Sequence, residues 1–282
     1  NQDHELFYNI AMAYRDSGKF NKAYECFINS LKIKKDSHGS FQNLMSLSLE
    51  LGHFALFQKK LFGELARINS GFNSQILFRT YLLINSFINE DFKQASNQID
   101  NLKLMIASDA FTQLEDEKDK IFIFAYHYFI KSLLSYHRKH KKNQNSNDIS
   151  ESIIFHIGES HCLTFANMTI NKKAKIKPLI AFGTKAWHLA QSKETNQKAT
   201  FSKHLKSIPH NASVLISVGE IDCRANEGLI TAHKKTGKNI DTLINNTVDN
   251  YIAFVENSLQ EKNIQRYYIS VPAPVIENDK DD

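Results

Sequence analysis

Residues that make tight turns are scarce in this chain. It has 10 glycines and 4 prolines in 282 residues, against averages of about 7% and 5%. That shortage argues against an all-β fold and for long helices. Cysteine is scarcer still. Cys26, Cys162 and Cys223 are odd in number and widely spaced, which predicts a reduced, cytoplasmic protein without a disulfide framework. No CxxC pair or His–Cys cluster has the spacing of a zinc site, so no metal and no cofactor is expected. Long apolar runs are missing too. The longest is Ile121–Tyr126, and the wider Ile121–Ile130 stretch contains His127. Both fall far short of the ~20 residues that cross a bilayer, so no membrane span is expected. The start, Asn1-Gln2-Asp3-His4-Glu5, lacks the basic-then-apolar pattern of a signal peptide. It also lacks an initiator Met, which reads as a fragment.

What is present is ordinary for a globular protein: 42% hydrophobic and 23% charged residues. The length suits two domains of roughly 100–200 residues each. The net charge is +5. Its clearest concentration is His137-Arg138-Lys139-His140-Lys141-Lys142, before the polar run Asn143–Asp148. A basic helix end followed by a solvated linker accounts for both. No basic groove interleaved with aromatics points to nucleic acid.

The first half is periodic. Phe7, Ile10, Ala11 and Tyr14 share one helical face, Gly18 punctuates, and Phe20, Ala23, Phe27, Ser30 and Leu31 form the face of a second helix. Small residues at Ala11 and Ala23 let the two helices approach closely. Gly52-His53-Phe54 follows Gly18-Lys19-Phe20 at a spacing of 34. Leu44, Leu47 and Leu51 precede it; Phe57, Leu61 and Leu65 follow. Asp91-Phe92-Lys93-Gln94-Ala95 echoes the motif again, with about four extra residues, and Ile99 and Leu102 extend its face. This resembles the tetratricopeptide repeat, whose period is ~34 residues. The resemblance implies a helical solenoid that binds a peptide or protein partner. Residues 119–138 are expected to cap it, with Ile121, Phe124, Tyr128, Leu133 and Leu134 inward.

The second half alternates strand and helix. Strand-like runs cover 152–157, 179–182, 213–218 and 267–271. The first three end in Gly158, Gly183 and Gly219, and the fourth in Pro272. The clearest helix, about 241–262, carries Ile244, Val248, Ile252, Val255 and Leu259 on one face. Alternation of this kind predicts a parallel sheet covered on both sides, with ligands at the carboxyl ends of its strands. The expected fold is therefore mixed. An all-α helical-repeat solenoid with its capping helix spans 1–139, a polar linker 140–151, and a three-layer α/β domain 152–282.

Polar residues follow each strand. Gly158-Glu159-Ser160-His161 resembles the Gly-Asp-Ser nucleophile block of the SGNH (GDSL-like) hydrolases. Gly183 is similar to their oxyanion-hole glycine, and Gly219-Glu220-Ile221-Asp222 stands where they have Gly-x-Asn-Asp. The phrase Val218–Arg224, with Asn226-Glu227-Gly228, resembles a divergent branch fused to tetratricopeptide repeats. The resemblance covers about 152–276 and implies a flavodoxin-like sheet. It makes Ser160 the nucleophile and the Ser160 and Gly183 N–H groups the oxyanion donors. Backbone N–H groups at a strand-to-helix turn suit that task.

Three departures stand out. Glu159 replaces Asp. Ile221 replaces the Asn that would supply a third donor, a place Arg224 or His161 could fill. The Asp-x-x-His block of the family is absent, which reads as a domain cut short or a base drawn from elsewhere. His161 adjoins Ser160, where neighbouring side chains diverge. His188, His204, His210 and His233 read as ordinary histidines, and Cys162 and Cys223 as buried small residues. Glu220, Asp222 and Arg224 read either as a salt bridge and helix cap or as part of the site. The first functional expectation is an ester hydrolase or acyltransferase acting on an acylated small molecule, glycan or lipid. The alternatives are a non-catalytic scaffold with a degenerate hydrolase domain, and a glycan-processing enzyme working through Glu220, Asp222 and Arg224.

Overall fold

In the computed structural model, the described residues are 3–52, 71–114, 116–140, 152–171, 173–224 and 226–269. They form two units. The first comprises Asn1–Ser152 and Ala166–Lys175, the second Ile153–Phe165 and Ile176–Asp282. The expected positions His53, Phe54, Phe57, Leu61 and Leu65, the linker from 141 on, and the end of the fourth strand with Pro272 lie outside the described residues.

Helix α1 (Asp3–Asp16) folds back as α2 (Phe20–Ile33), followed by α3 (His38–Glu50). A second hairpin pairs α4 (Phe72–Ile88) with α5 (Phe92–Ile106). A short α6 (Asp109–Thr112) and the long α7 (Glu117–His140) complete the series. Ala11 and Ala23 are fully buried, as is Phe27, so the helices of the first hairpin meet where the side chains are small. Ile10 is the exception on that face, with 36% of its surface exposed.

The turns repeat in detail. Gly18 ends α1 at φ +70° and Gly52 ends α3 at φ +71°. The Lys19 N–H donates to Tyr14 O at 2.8 Å, and at the end of α4 the Asp91 N–H donates to Ser86 O at 2.9 Å. Both are the six-to-one bond of a Schellman stop. At the second stop the left-handed position is filled by Glu90, at φ +62°. A side chain there clashes with its own backbone. Glu90→Gly is therefore expected to raise stability by about 0.5–1 kcal/mol, read as a higher urea midpoint, because relief of strain outweighs glycine's entropy cost. The lost ion pair with Lys175 is half exposed and offsets little.

Two corrections concern which face turns inward. On α7, Ile121 (66% exposed), Phe124 and Tyr128 (56%) face outward, while Ile123, Tyr126, His127, Ile130, Leu133 and Leu134 are buried. Apolar residues surround this helix, and packing against α4 and α5 selects the face; the Phe122 and Tyr81 rings lie 5.2 Å apart. In the second unit, α11 (Ile240–Leu259) buries Thr247, Tyr251, Val255 and Leu259 and leaves Ile244, Val248 and Ile252 exposed. The buried set is a stripe at i, i+4, i+8 and i+12 that the sheet selects over the parallel apolar stripe three positions earlier.

Among the described residues, five strands form one sheet in the order β2-β3-β1-β4-β5. They are β1 (Ser152–Gly158), β2 (Thr169–Ile170), β3 (Ala174–Ile180), β4 (Ser213–Ser217) and β5 (Gln265–Tyr268). β1 pairs parallel with β4, and β4 with β5, while β2 and β3 are antiparallel. β3 begins five residues earlier than its apolar run suggests, in the alternating Ala-Lys-Ile-Lys segment. The Ala181 N–H donates to Gly158 O at 2.8 Å. With the Ser152 N–H donating to Lys173 O at 3.1 Å at the other end, β3 and β1 run the same way and end side by side. Ile157, Val214, Ile216 and Val218 share a core with Phe201 and Leu205 of α9 (Asn196–Ser207), Leu189 of α8 (Ala186–Ala190), and Tyr251, Val255 and Leu259 of α11. A further short helix, α10, spans Leu229–Thr236.

The segment Ala166–Lys175 belongs to the first unit. Asn167 Nδ2 donates to Phe87 O at 2.6 Å, and His137 Nε2 lies 3.1 Å from Ala166 O.

Candidate functional site

The carboxyl ends of β1, β3 and β4 deliver three short segments to one edge of the sheet. β1 ends in Gly158, which faces Ser217 of β4. A Cβ at Gly158 would lie 2.3 Å from Ser217 O, so only glycine permits this approach. Glu159 follows, and Ser160–Leu163 form a single 3-10 turn. After β3 comes Gly183, at φ +62°. After β4 come Gly219 and a second 3-10 turn, Ile221–Cys223.

Glu159 is the centre of the first segment. Only 2% of its surface is exposed. Ser160 Oγ donates to its Oε2 at 3.2 Å, and His161 Nδ1 lies 2.7 Å from its Oε1. The carboxylate therefore stands between serine and histidine. That order differs from the Ser–His–acid chain, in which the imidazole touches the hydroxyl. Among the described residues, no histidine is hydrogen-bonded to Ser160 Oγ. The Glu159 carboxylate raises the His161 pKa, against the opposing effect of burial, and Glu220 adds to the rise. The N–H groups of Ser160 and Gly183 have no backbone partner among the described residues.

Glu220, Asp222 and Arg224 divide into two tasks. Asp222 is buried and reaches across to α8. Its Oδ2 accepts from the Ala186 N–H at 2.7 Å and its Oδ1 from the Trp187 N–H at 3.1 Å. Burial raises its pKa, and these N–H groups pull it back. Asp222 is a helix cap supplied from 36 residues away, and it fixes the segment after β4 to the segment after β3. Arg224 instead pairs with Glu220 through Nε (3.0 Å) and Nη2 (2.8 Å), and with Glu227 through Nη1 (2.8 Å). Lys185 Nζ donates to Glu227 O at 2.7 Å. Arg224 depresses the Glu227 pKa. Ile221 is 7% exposed and brings no donor. Cys162 is buried as expected, whereas Cys223 is exposed on its one-turn helix, a correction to its expected burial.

Three further histidines of this unit bond to backbone groups. His188 Nδ1 accepts from the Lys185 N–H at 3.1 Å, His204 Nε2 lies 2.9 Å from Ile180 O, and His233 Nδ1 lies 2.6 Å from Lys238 O. His156, not singled out by the sequence, is buried in β1 with Nε2 2.8 Å from Ser217 Oγ. Its alternation with Phe155 and Ile157 was the available signal. Burial pushes the His156 and His204 pKa values down to about 4. Above pH 6.5 both are neutral folded or unfolded and contribute no pH dependence. Between pH 6.5 and about 4 only the unfolded chain takes up the protons, so stability falls as pH falls. The slope is about 1.4 kcal/mol per pH unit for each histidine. Urea midpoints at pH 7, 6 and 5, read by Trp187 fluorescence, are expected to drop in that order. Midpoints that stay level would contradict the assigned burial of these rings.

Among the described residues, two groups have metal-ligand chemistry. The ligand atoms of Glu159, His161 and Glu220 lie within 4.8 Å of one another, as do those of His38, Asp116 and Asp119 in the first unit. No helix among the described residues is long and apolar enough to cross a membrane. Comparison with known proteins gave no matching family model, no matching curated protein and no matching solved structure.

Proposed function

We propose that the chain is a serine-dependent ester hydrolase or acyltransferase of SGNH type, joined to tetratricopeptide-like repeats that recruit a peptide or protein. One observation carries the catalytic reading: Gly158-Glu159-Ser160, Gly183 and Gly219–Arg224 all converge on one edge of the sheet, after neighbouring strands in the order β3-β1-β4. In this reading Ser160 Oγ attacks the ester carbonyl carbon and its proton passes to Glu159 Oε2. The Ser160 and Gly183 N–H groups hold the oxyanion. Collapse of the intermediate breaks the bond to the alcohol, which leaves with the proton held on Glu159 Oε2. Water or a sugar hydroxyl, losing its proton to the freed Glu159 carboxylate, then takes the acyl group, and that proton returns to Ser160 Oγ. The substrate class is an acylated small molecule, glycan or lipid. The test is cleavage of an aryl acetate by the intact chain, with loss of activity in Ser160→Ala. Equal activity in that variant would overturn the proposal.

The second reading is a ligand-binding scaffold without turnover. It is favoured by the absence of a histidine on Ser160 Oγ among the described residues and by buried Ile221 at the third donor position. A glycan-processing role for Glu220, Asp222 and Arg224 has less support, since Asp222 is committed to capping α8 and Arg224 to two carboxylates.

A further inference from the structure

We propose that Glu159, His161 and Glu220 form a binding site for a first-row divalent cation of the zinc class. Two independent observations point there. The first is geometry. One imidazole nitrogen and two carboxylate oxygens, from the ends of two adjacent parallel strands, lie within 4.8 Å of one another. Ligands at about 2.0–2.2 Å from a tetrahedral ion sit about 3.4 Å apart, so small rotamer changes complete the set. Mixed imidazole and carboxylate ligation suits zinc, cobalt and manganese better than magnesium or calcium. His161, with 40% of its side chain exposed, opens the group to solvent and leaves a fourth position free.

The second observation is charge. The Glu159 side chain is 97% buried, and its only ion-pair partner among the described residues is His161. A buried carboxylate without a fixed cation is costly. Setting Asp222 aside on its helix N–H groups, three carboxylates (Glu159, Glu220, Glu227) meet two fixed cations, Arg224 and Lys185. The one remaining charge, at the buried member, is faced among the described residues only by the titratable His161, and a divalent cation bound between them replaces it with a charge that does not titrate. Arg224 engages both Glu220 oxygens, but a carboxylate offers about four lone-pair sites, so Glu220 keeps capacity for an ion. The arrangement then matches a catalytic metal site: three protein ligands, one open position and an arginine orienting a ligand from outside.

The test uses the full chain carrying His38→Gln, which removes the competing group in the first unit. After chelator treatment it is titrated with Co²⁺ at pH 7.5, reading visible d–d absorption and calorimetric stoichiometry. One equivalent is expected to bind with tetrahedral-type bands. His161→Gln, a half-exposed position that Trp187 fluorescence can confirm as folded, is expected to abolish the bands. Glu220→Gln is expected to weaken binding by about ten-fold or more. No uptake, or equal uptake in His161→Gln, overturns the site. Ser160→Ala is expected to bind cobalt like its parent, so failure of the metal site and failure of the serine reading are separable.

Discussion

Ser160→Ala is expected to lower kcat/KM for an aryl acetate by about 10³-fold or more, with the fold intact. Loss of a serine nucleophile costs up to ~10⁶ in kcat where a histidine base is hydrogen-bonded to it. Here the hydroxyl hydrogen-bonds to the Glu159 carboxylate instead, so the proposed serine mechanism implies a lower parent rate and a correspondingly smaller fall. Alanine removes only Oγ. It leaves the 3-10 turn and its Cys162 N–H to Glu159 O bond of 3.0 Å unchanged. A circular dichroism spectrum matching the parent, together with lost turnover, is the predicted pair of results. Parent-level turnover in the variant would place the chemistry elsewhere.

The second large effect concerns the helical unit. Arg15 of α1 meets Glu50 of α3 at 2.7 Å, with side-chain exposures of 6% and 2%. Arg15 also donates to Asn43 Oδ1 (2.8 Å) and Ser46 Oγ (2.9 Å). Glu50→Ala strands the guanidinium in the core and is expected to cost about 3–5 kcal/mol. Replacing both partners, as Arg15→Met with Glu50→Leu, removes the charges together and is expected to cost much less. Urea unfolding followed at 222 nm measures both. A double variant as unstable as the single one would show that the pair contributes more than its own desolvation penalty.

Much of this architecture was legible because local rules suffice for it. Gly18 and Gly52 stop helices wherever they occur, and each apolar run followed by glycine became a strand end. The inward faces of α7 and α11 were not legible. Apolar side chains surround Ile121–Ile130, so periodicity offers several faces and the neighbouring helices choose among them. In α11, Tyr251 and Thr247 complete the buried stripe although they look less apolar than exposed Ile244 and Val248. The site divided the same way. The placement of Ser160, Gly183 and the Glu220–Arg224 cluster at one sheet edge could be read from their positions after strands. The roles within the cluster could not, because Asp222 caps a helix 36 residues away and Glu159 comes to lie between Ser160 and His161 through its side-chain rotamer. Neither fact is written in spacing.

Returning Ala166–Lys175 to the helical unit has a consequence for dissecting the chain. The backbone crosses between the units at 152/153, again at 165/166, and a third time at 175/176. No single cleavage point separates them. A fragment beginning at residue 152 would carry Asn167 and Lys175 without Phe87 and Glu90, their partners. A fragment ending there would expose the Phe87 carbonyl and His137. Severing the units cleanly requires three cuts, where the linear order of helices and strands suggests one.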